Sequence, residues 1–443
     1  MPSLGKNSGK ACQPVLGTEP FYFRTFIIFR EFFSSGKKFF CKRLLRDVKK
    51  EDSVIEKQQK RAILSAVPGN RKIIEKEMIM SMEKFDVAVL GLGGMGKTHV
   101  GAAKSSPHVN RIYGYEPDPE RRAQRASELG IIAADLPEIL ANPEIKFVSI
   151  ASSNESHIPL AEAALRAGKK VMCEKPMGDT LEEATRLIKL KQELNGFLQI
   201  GFELHYSRLY MKAKEWIDQG LIGKVVNIQT RYLCTVHHPK GSWRSKGKGS
   251  FLIGEKLSHY LDLQRWFMGS EPESVYAVAS PRVLPYVEYR DNHNITTTFK
   301  NGGIGVLLFT AFAAESYHGE QYEDLLAKQR DDGHVLQYLI MGDKGMIETD
   351  VFARRIRRWT FTDTGERLDS ARDEEIRYPQ ALDNSWIHNT SGQNKKIIEL
   401  VANGLPPGVP AEDAYQTMRF CFAAGLSEDT GRIVRLDELP DWK

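Results

Sequence analysis

Residues Phe85 to Ser106 read FDVAVLGLGGMGKTHVGAAKSS. Val87, Val89 and Leu90 make a short apolar strand that runs directly into Gly91-Leu92-Gly93-Gly94-Met95-Gly96, and a helix rich in small residues follows. A G-x-G-x-x-G hexapeptide between a strand and a helix is the pattern of a dinucleotide phosphate loop. Gly91 permits the tight turn, Gly93 lets the backbone approach a pyrophosphate, and Gly96 lets the helix pack closely on the strand. The N-terminus of that helix turns unpaired N–H groups and a positive dipole end toward the phosphates, and Gly94 and Met95 complete the expected cofactor loop.

The segment RIYGYE at 111–116 is a second strand ending on Glu116, 25 positions after Gly91. A carboxylate there accepts hydrogen bonds from ribose hydroxyls and repels a 2′-phosphate, which favours NAD. Arg121 and Arg122 in the following turn keep NADP open. Further strands are expected at Phe147–Ala151 and Lys170–Cys173, with a helix at Ile158–Ala167 between them. Strands and helices alternating at this spacing build a parallel sheet whose ligands lie at the strands' carboxyl ends. Ser152, Ser153 and Asn154 follow one strand end and Glu174-Lys175-Pro176 another, so both groups are expected along the cofactor crevice. For Ser153 and Asn154 the alternative is a plain helix cap.

At 443 residues the chain exceeds the roughly 250–300 at which a single core stops growing, so two domains are expected. Hydrophobic residues make up 41% and charged residues 27%, as in a globular enzyme. No apolar run of about 18 residues is present, so no membrane-spanning helix is expected. The five cysteines are scattered with no C-x-x-C pair, which points to a reducing cytoplasm and away from a disulfide framework or a zinc site.

The net charge of +5 is unevenly placed. Residues 1–81 carry 17 of the 62 basic and 8 of the 57 acidic residues, a balance of +9, which leaves the remainder mildly acidic. No basic face for nucleic acid is therefore expected on the main body. Residues 21–40 hold eight phenylalanines interrupted by Arg24, Arg30 and Glu31, and a basic run follows. The order of charges does not fit a secretory signal. An amphipathic membrane-surface segment and an organellar presequence are the alternatives to an appendage outside the core fold, which is the reading adopted for 1–81. The domain assignment is then a dinucleotide-binding domain at 82–203 and a second domain at 204–443.

In that second part, Gly241 to Gly269 read GSWRSKGKGSFLIGEKLSHYLDLQRWFMG. A Gly/Ser-rich loop enters a helix on which Glu255, His259, Asp262 and Trp266 are spaced by four, three and four, and so share one face. A polar stripe with a histidine in its middle can wall an active site. Alternatively His259 is a core histidine satisfied by Asp262. His205, Glu255 and His259 show no H-x-x-x-H or H-E-x-x-H spacing, so no metal is expected.

These residues resemble the glucose–fructose oxidoreductase/inositol dehydrogenase (Gfo/Idh/MocA) family. The resemblance rests on Gly91–Gly96, on Ser152-Ser153-Asn154 with His157, and above all on AGKKVMCEKPMGDTLEEA from Ala167 to Ala184. It is close over about 83–275, looser beyond and absent from 1–81. It implies an α/β fold: a Rossmann dinucleotide-binding domain followed by an α+β domain with a large, mostly antiparallel sheet, through which such chains form homodimers or tetramers. It also implies a cis bond before Pro176, a catalytic role for Lys175, and His259 as the general base with acidic Glu255 one turn earlier. His157, Glu174 and Pro176 join the cofactor set. His205 stands where relatives often carry arginine, and cannot offer a guanidinium's two-pronged contact. His205, Trp243 and Arg244 are candidate substrate contacts, with His237 and His238 near the rim.

The expected function is NAD(P)-dependent oxidation of a hydroxyl on a sugar, sugar acid or cyclitol, or the reverse. His259 would remove the hydroxyl proton, and Lys175 would stabilise the developing alkoxide. Two alternatives stay open at this point: redox-neutral glycoside cleavage through transient oxidation at the same site, and a non-catalytic nucleotide-binding regulator.

Overall fold

The computed structural model describes residues 84–234, 240–312 and 333–443. The extension at 1–81 and the loop residues His237 and His238 lie outside them.

β1 (Phe85–Leu90) is buried at all six positions, as a strand covered on both faces of a parallel sheet must be. Helix α1 (Gly94–Lys104) returns the chain to β2 (Val109–Tyr115). Then follow α2 (Pro119–Leu129), β3 (Ile132–Ala133), α3 (Leu136–Ala141), β4 (Ile145–Ile150), α4 (Asn154–Arg166), β5 (Lys170–Glu174), α5 (Leu181–Glu193) and β6 (Leu198–Gly201). All pairings are parallel, in the order β3-β2-β1-β4-β5-β6. The direction of winding reverses between β1 and β4, which is where such sheets open a ligand crevice.

The structure bears out the expected strands within two residues. It corrects one helix: α4 begins at Asn154, not Ile158, and contains Pro159. A proline in the second turn withdraws one N–H and frees one carbonyl, that of Glu155 near the solvent-facing helix start, so the cost there is small. Helix α5 opens with a capping box between Thr180 and Glu183, which fixes its first turn directly after the Glu174-Lys175-Pro176 segment.

After β6 the chain makes a 3₁₀ turn at Glu203–Tyr206, helix α6 (Arg208–Asp218) and strand β7 (Val225–Cys234). The short strand β8 (Lys248–Gly249) precedes a π turn at Ile253–Leu257, which leads into α7 (Ser258–Met268). The rest supplies β9 (Pro272–Val278), β10 (Glu288–Tyr289), β11 (Asn292–Phe299), β12 (Ile304–Thr310), β13 (Gly333–Gly342), β14 (Gly345–Asp350), β15 (Arg355–Asp363), β16 (Leu368–Arg377), α8 (Asp383–Trp386), α9 (Thr390–Ala402), α10 (Ala411–Thr430) and β17 (Val434–Arg435). Nine of these strands form one sheet ordered β16-β15-β14-β13-β7-β12-β11-β9-β17. Only the β7–β12 pair is parallel. This is the large, mostly antiparallel sheet expected.

One face of that sheet is packed by α6, α7 and α10. Tyr210, Phe267 and Tyr338 meet edge-on or tilted at 5.7–6.3 Å between ring centres, within the range favoured by aromatic quadrupoles. The last two helices also reach back to the first sheet. Ile397 and Ile398 of α9 share a core with Val87, Val89 and Val100, and Tyr415 and Met418 of α10 share one with Ile158, Leu187 and Phe202. Burial of each such side chain contributes about 1.5–3 kcal/mol. The C-terminal helices thus lock the two sheets into one body across the described residues.

Candidate active site

Gly91 takes φ +91°, and a Cβ placed on it would lie 2.7 Å from the backbone of Ala151 and Ser152. The β1 turn is therefore glycine-dependent because the β4 end passes against it. A Cβ at Gly96 would sit 1.9 Å from the Gly91 carbonyl oxygen. At Gly93 and Gly94 nothing lies within 4 Å of the added atom. Gly93 caps α1 with no side-chain hydrogen bond, and Met95 on its first turn is exposed. The loop is thus an open cradle with bare N–H groups at a helix start, which fits a pyrophosphate. Gly96→Val is expected to abolish folding, seen as loss of the melting transition, because two backbone segments cannot part. Gly93→Val is expected to keep its melting temperature and lose NADH binding in a fluorescence titration. Tight NADH binding by Gly93→Val would remove this loop from the cofactor site.

Glu116 lies just past β2, is buried, and accepts the Leu92 N–H at 2.6 Å. Its carboxylate therefore borders the glycine loop, where a ribose would be read. Arg122 does not offset it. Its guanidinium donates to the Glu116 carbonyl (3.1 Å), pairs with Asp135 (2.5 Å) and lies over the Tyr115 ring. Arg121 is more exposed and reaches 4.0 Å from Glu116. A buried acceptor carboxylate fits a free 2′-hydroxyl better than a 2′-phosphate, which agrees with NAD.

At the β4 end, Ser153 is the N-cap of α4 but its hydroxyl meets Glu155 at 3.2 Å and caps no backbone N–H, and Asn154 is the buried first helical residue. His157 spans two strand-end loops, with Nδ1 3.0 Å from the Pro176 carbonyl and Nε2 3.3 Å from the Ser152 carbonyl. Burial lowers its pKa. Lys175–Pro176 is a cis peptide, as the resemblance implied. Glu174 turns away from Lys175 to contact His99 of α1 at 3.0 Å, while the other His99 nitrogen meets Ser149 at 2.8 Å. Ser149 donates to Asn394 of α9 at 3.2 Å. Glu174 is thus part of a buried polar chain behind the glycine loop. His99 and Asn394 were not singled out from sequence; only the position of His99 one helical turn past Gly96 could have marked it.

Lys175 reaches the second sheet's side. Its Nζ donates to the Glu255 carbonyl and lies 3.8 Å from Glu255 Oε1. The same Oε1 accepts from Arg244 Nε at 2.8 Å. Glu255 lies in a π turn, and its carboxylate is engaged by Arg244 and Lys175 and does not orient His259. The carboxylate that faces His259 is Glu203, with Oε2 3.3 Å from Nε2, and Glu203 Oε1 lies 2.9 Å from His388 Nδ1. His259 Nδ1 is buried without a hydrogen-bond partner.

Burial pushes the His259 pKa down to about 4; Glu203 opposes the shift, and Lys175 and His388 add to it. Burial alone would raise the Glu203 carboxyl, but His259, His388 and Lys175 outweigh it and hold it down at about 2. At neutral pH the pair is a neutral imidazole beside a carboxylate. Asp262 serves His205 instead of His259, at 2.6 Å, and accepts from Thr417 at 2.7 Å. His205 also lies against the Trp266 ring, 4.3 Å between centres. Glu203 and His205 are two residues apart in a 3₁₀ turn, so they point to different sides. The structure therefore groups Lys175, Glu255, Arg244, His259, Glu203 and His388, and places His205 against Asp262 and Trp266. The Trp243 side chain lies outside the described residues. Among the described residues no cluster of metal-ligating groups occurs, and no helix is long and apolar enough to cross a membrane.

A family model described as an oxidoreductase family with an NAD-binding Rossmann fold matches residues 85–202, and one for the GFO/IDH/MocA C-terminal domain matches 210–348. Myo-inositol 2-dehydrogenase of Thermotoga maritima is 27% identical over 358 residues, covering 80% of this chain and 99% of that protein. Levoglucosan dehydrogenase of Pseudarthrobacter phenanthrenivorans is 30% identical over 216 residues, 45% of this chain and 55% of the other. A solved levoglucosan dehydrogenase complex with NADH superposes with a TM-score of 0.66 at 24% identity, over 80% of this chain and 99% of that one, which shows a shared fold.

Proposed function

The chain belongs to the Gfo/Idh/MocA oxidoreductase family, and on that premise we propose that it is an NAD-dependent dehydrogenase oxidising a secondary hydroxyl of a cyclitol or sugar. The carrying observation is His259: an imidazole held neutral by burial and close enough to the Lys175 ammonium to feel its charge. The relatives named for inositol and levoglucosan support the substrate class.

Gly91–Gly96, Glu116 and the Ser152–Asn154 and Glu174–Pro176 strand ends would hold NAD, which would supply the hydride acceptor. His259 takes the hydroxyl proton. Lys175 stabilises the oxygen as negative charge grows on it. Glu255 holds Lys175 in place and, with Arg244, offers polar groups to the remaining hydroxyls. The test is a screen of polyols, sugars and glycosides that records NADH and released products together. NADH formed in step with a ketone supports the reading. Cleaved glycoside without net NADH would replace it with redox-neutral cleavage.

We place the protein in a reducing compartment, the cytoplasm, since its five cysteines are scattered with no C-x-x-C pair and Cys173 and Cys421 are buried free thiols. We also propose a homo-oligomer through the open face of the nine-stranded sheet. Tyr276 and Val278 of β9 and Ile304 and Leu308 of β12, the two strands flanking β11, are exposed there, an apolar area that association would cover. Analytical ultracentrifugation should give a mass of at least two chains; a monomer at micromolar concentration would refute it.

A further inference from the structure

Lys175 is the first residue past the ladder of β5, which pairs with β4 as far as Cys173 and with β6 as far as Glu174. Side-chain contacts hold the chain on either side of it. After it, the Pro176 carbonyl oxygen lies 3.0 Å from His157 Nδ1. Before it, the Glu174 carboxylate lies 3.0 Å from His99 Nε2, and the two side chains are 8% and 0% exposed. His99 stands on α1, and its other nitrogen lies 2.8 Å from the Ser149 hydroxyl. Ser149 in turn meets Asn394 of α9 at 3.2 Å, and Asn394 donates to the Thr390 carbonyl at 3.0 Å. The ring is thus gripped at both nitrogens. The carboxylate also has a gap made for it. A Cβ on Gly201, its ladder partner on β6, would lie 2.7 Å from Glu174 Oε2.

We propose that His99 is a positioning residue of this dehydrogenase: through the Glu174 carboxylate it fixes the end of β5 and so aims the Lys175 ammonium. The inference rests on the dehydrogenase reading above, in which Lys175 stabilises the reacting oxygen.

The argument is one of burial and reach. A buried carboxylate needs a donor, and removing its partner leaves an uncompensated charge. Without His99, Glu174 is such a charge, one residue from the Lys175 ammonium, and opposite charges in a poorly solvated site draw together. The ammonium is then partly neutralised and displaced. A misplacement of about 1 Å is enough to cost about 10²-fold in rate. Cofactor phosphates, by contrast, are met by backbone N–H groups at the start of α1 and not by the His99 side chain.

Two isosteres separate the contacts of the ring. A glutamine amide reaches as far as Nε2 and can donate to Glu174, whereas an asparagine amide reaches only as far as Nδ1 and keeps Ser149 alone. His99→Asn should therefore lower kcat by about 10²-fold with NADH affinity unchanged, and His99→Gln should recover most of that loss. Gly201→Ala crowds the same carboxylate without altering His99 and should give a loss of the same kind. Combined with His99→Asn it should cost no more than the worse single change, since both act on one contact. A general packing defect predicts no ranking of asparagine below glutamine, and losses that multiply.

The experiment uses the full chain, with melting temperature and NADH fluorescence titration for every variant. Crystal structures of the wild type, His99→Asn and His99→Gln follow. In His99→Asn, Glu174 should leave its place and Lys175 Nζ should leave the Glu255 carbonyl that it meets in the wild type. In His99→Gln both should stay. An unmoved Lys175 Nζ in His99→Asn would overturn the proposal, as would a loss confined to NADH affinity. Turnover is measured with myo-inositol and levoglucosan as probes. Wild-type kcat in His99→Asn, equal losses in the two His99 variants, or multiplying losses in the double variant would also overturn it. Should His99→Asn fail to fold, Gly201→Ala is read in its place, by crystal structure and by turnover. If the wild type oxidises neither probe, the substrate reading fails for these compounds, while the crystal structures still decide the role of His99.

Discussion

Replacing His259 with alanine is expected to lower kcat by about 10²–10⁴-fold, the usual contribution of a positioned general base. NAD affinity should stay near wild type, because the cofactor residues lie at the carboxyl ends of β1, β2, β4 and β5 and His259 stands on α7. The pH profile is the sharper measurement. A base must be unprotonated to act, so kcat/KM for oxidation falls as pH drops through its pKa. Burial places that pKa at about 4, well below the 6.5 of a free imidazole. The wild-type rate should therefore hold through pH 6 and fall only near pH 4. In His259→Ala the limb should vanish together with the rate. Near-wild-type turnover with the acid limb intact would show that the proton goes elsewhere. Tyr260, the next residue on the helix, would then be the first candidate.

What the sequence made legible follows from local rules. The strand, the glycine spacing and the helix behind it are contiguous, so Gly91, Gly93 and Gly96 could be assigned their separate jobs before any coordinates. The three strand ends carrying Glu116, Ser152–Asn154 and Glu174–Pro176 came from periodicity alone. Glu203 and His388 did not, because the contact joins residues 185 positions apart and neither belongs to a spaced motif. The four-residue spacing of Glu255 and His259 suggested a partnership that the side chains do not make: Glu255 meets Arg244 and Lys175, and nothing in IGEKL announces the π turn that carries it. His205 was legible as a departure from relatives, but its pairing with Asp262 and Trp266 needed the fold. The NAD preference gained most from the structure. From sequence Arg122 was a candidate for a 2′-phosphate, and only its contacts with Asp135, Tyr115 and the Glu116 carbonyl show it engaged elsewhere.

Lys175→Met should cost about 10²–10³-fold in kcat, the scale of removing one donor aimed at a developing oxyanion. Methionine keeps the length and apolar stem of lysine and discards the ammonium, so the loss reports charge and not packing. Folding should survive, because Glu255 keeps Arg244 as a partner at 2.8 Å and Lys175 is tied otherwise to a backbone carbonyl. A melting temperature close to wild type checks that. Lysine is charged before and after hydride loss, whereas the substrate oxygen gains charge only as the reaction proceeds. The interaction is therefore made mainly in the transition state, and kcat and kcat/KM should fall together. Lys175→Arg should recover little, since a planar guanidinium cannot occupy the same point and does not exchange a proton at working pH. A second effect separates this role from simple scaffolding. The Lys175 charge lowers the His259 pKa, so its removal should move the remaining acid limb of kcat/KM upward from about 4. An unchanged kcat with only a raised KM would mean that Lys175 binds substrate and stabilises no charge. A fallen kcat with the limb unmoved would mean that it acts too far from His259 for the two to share one site.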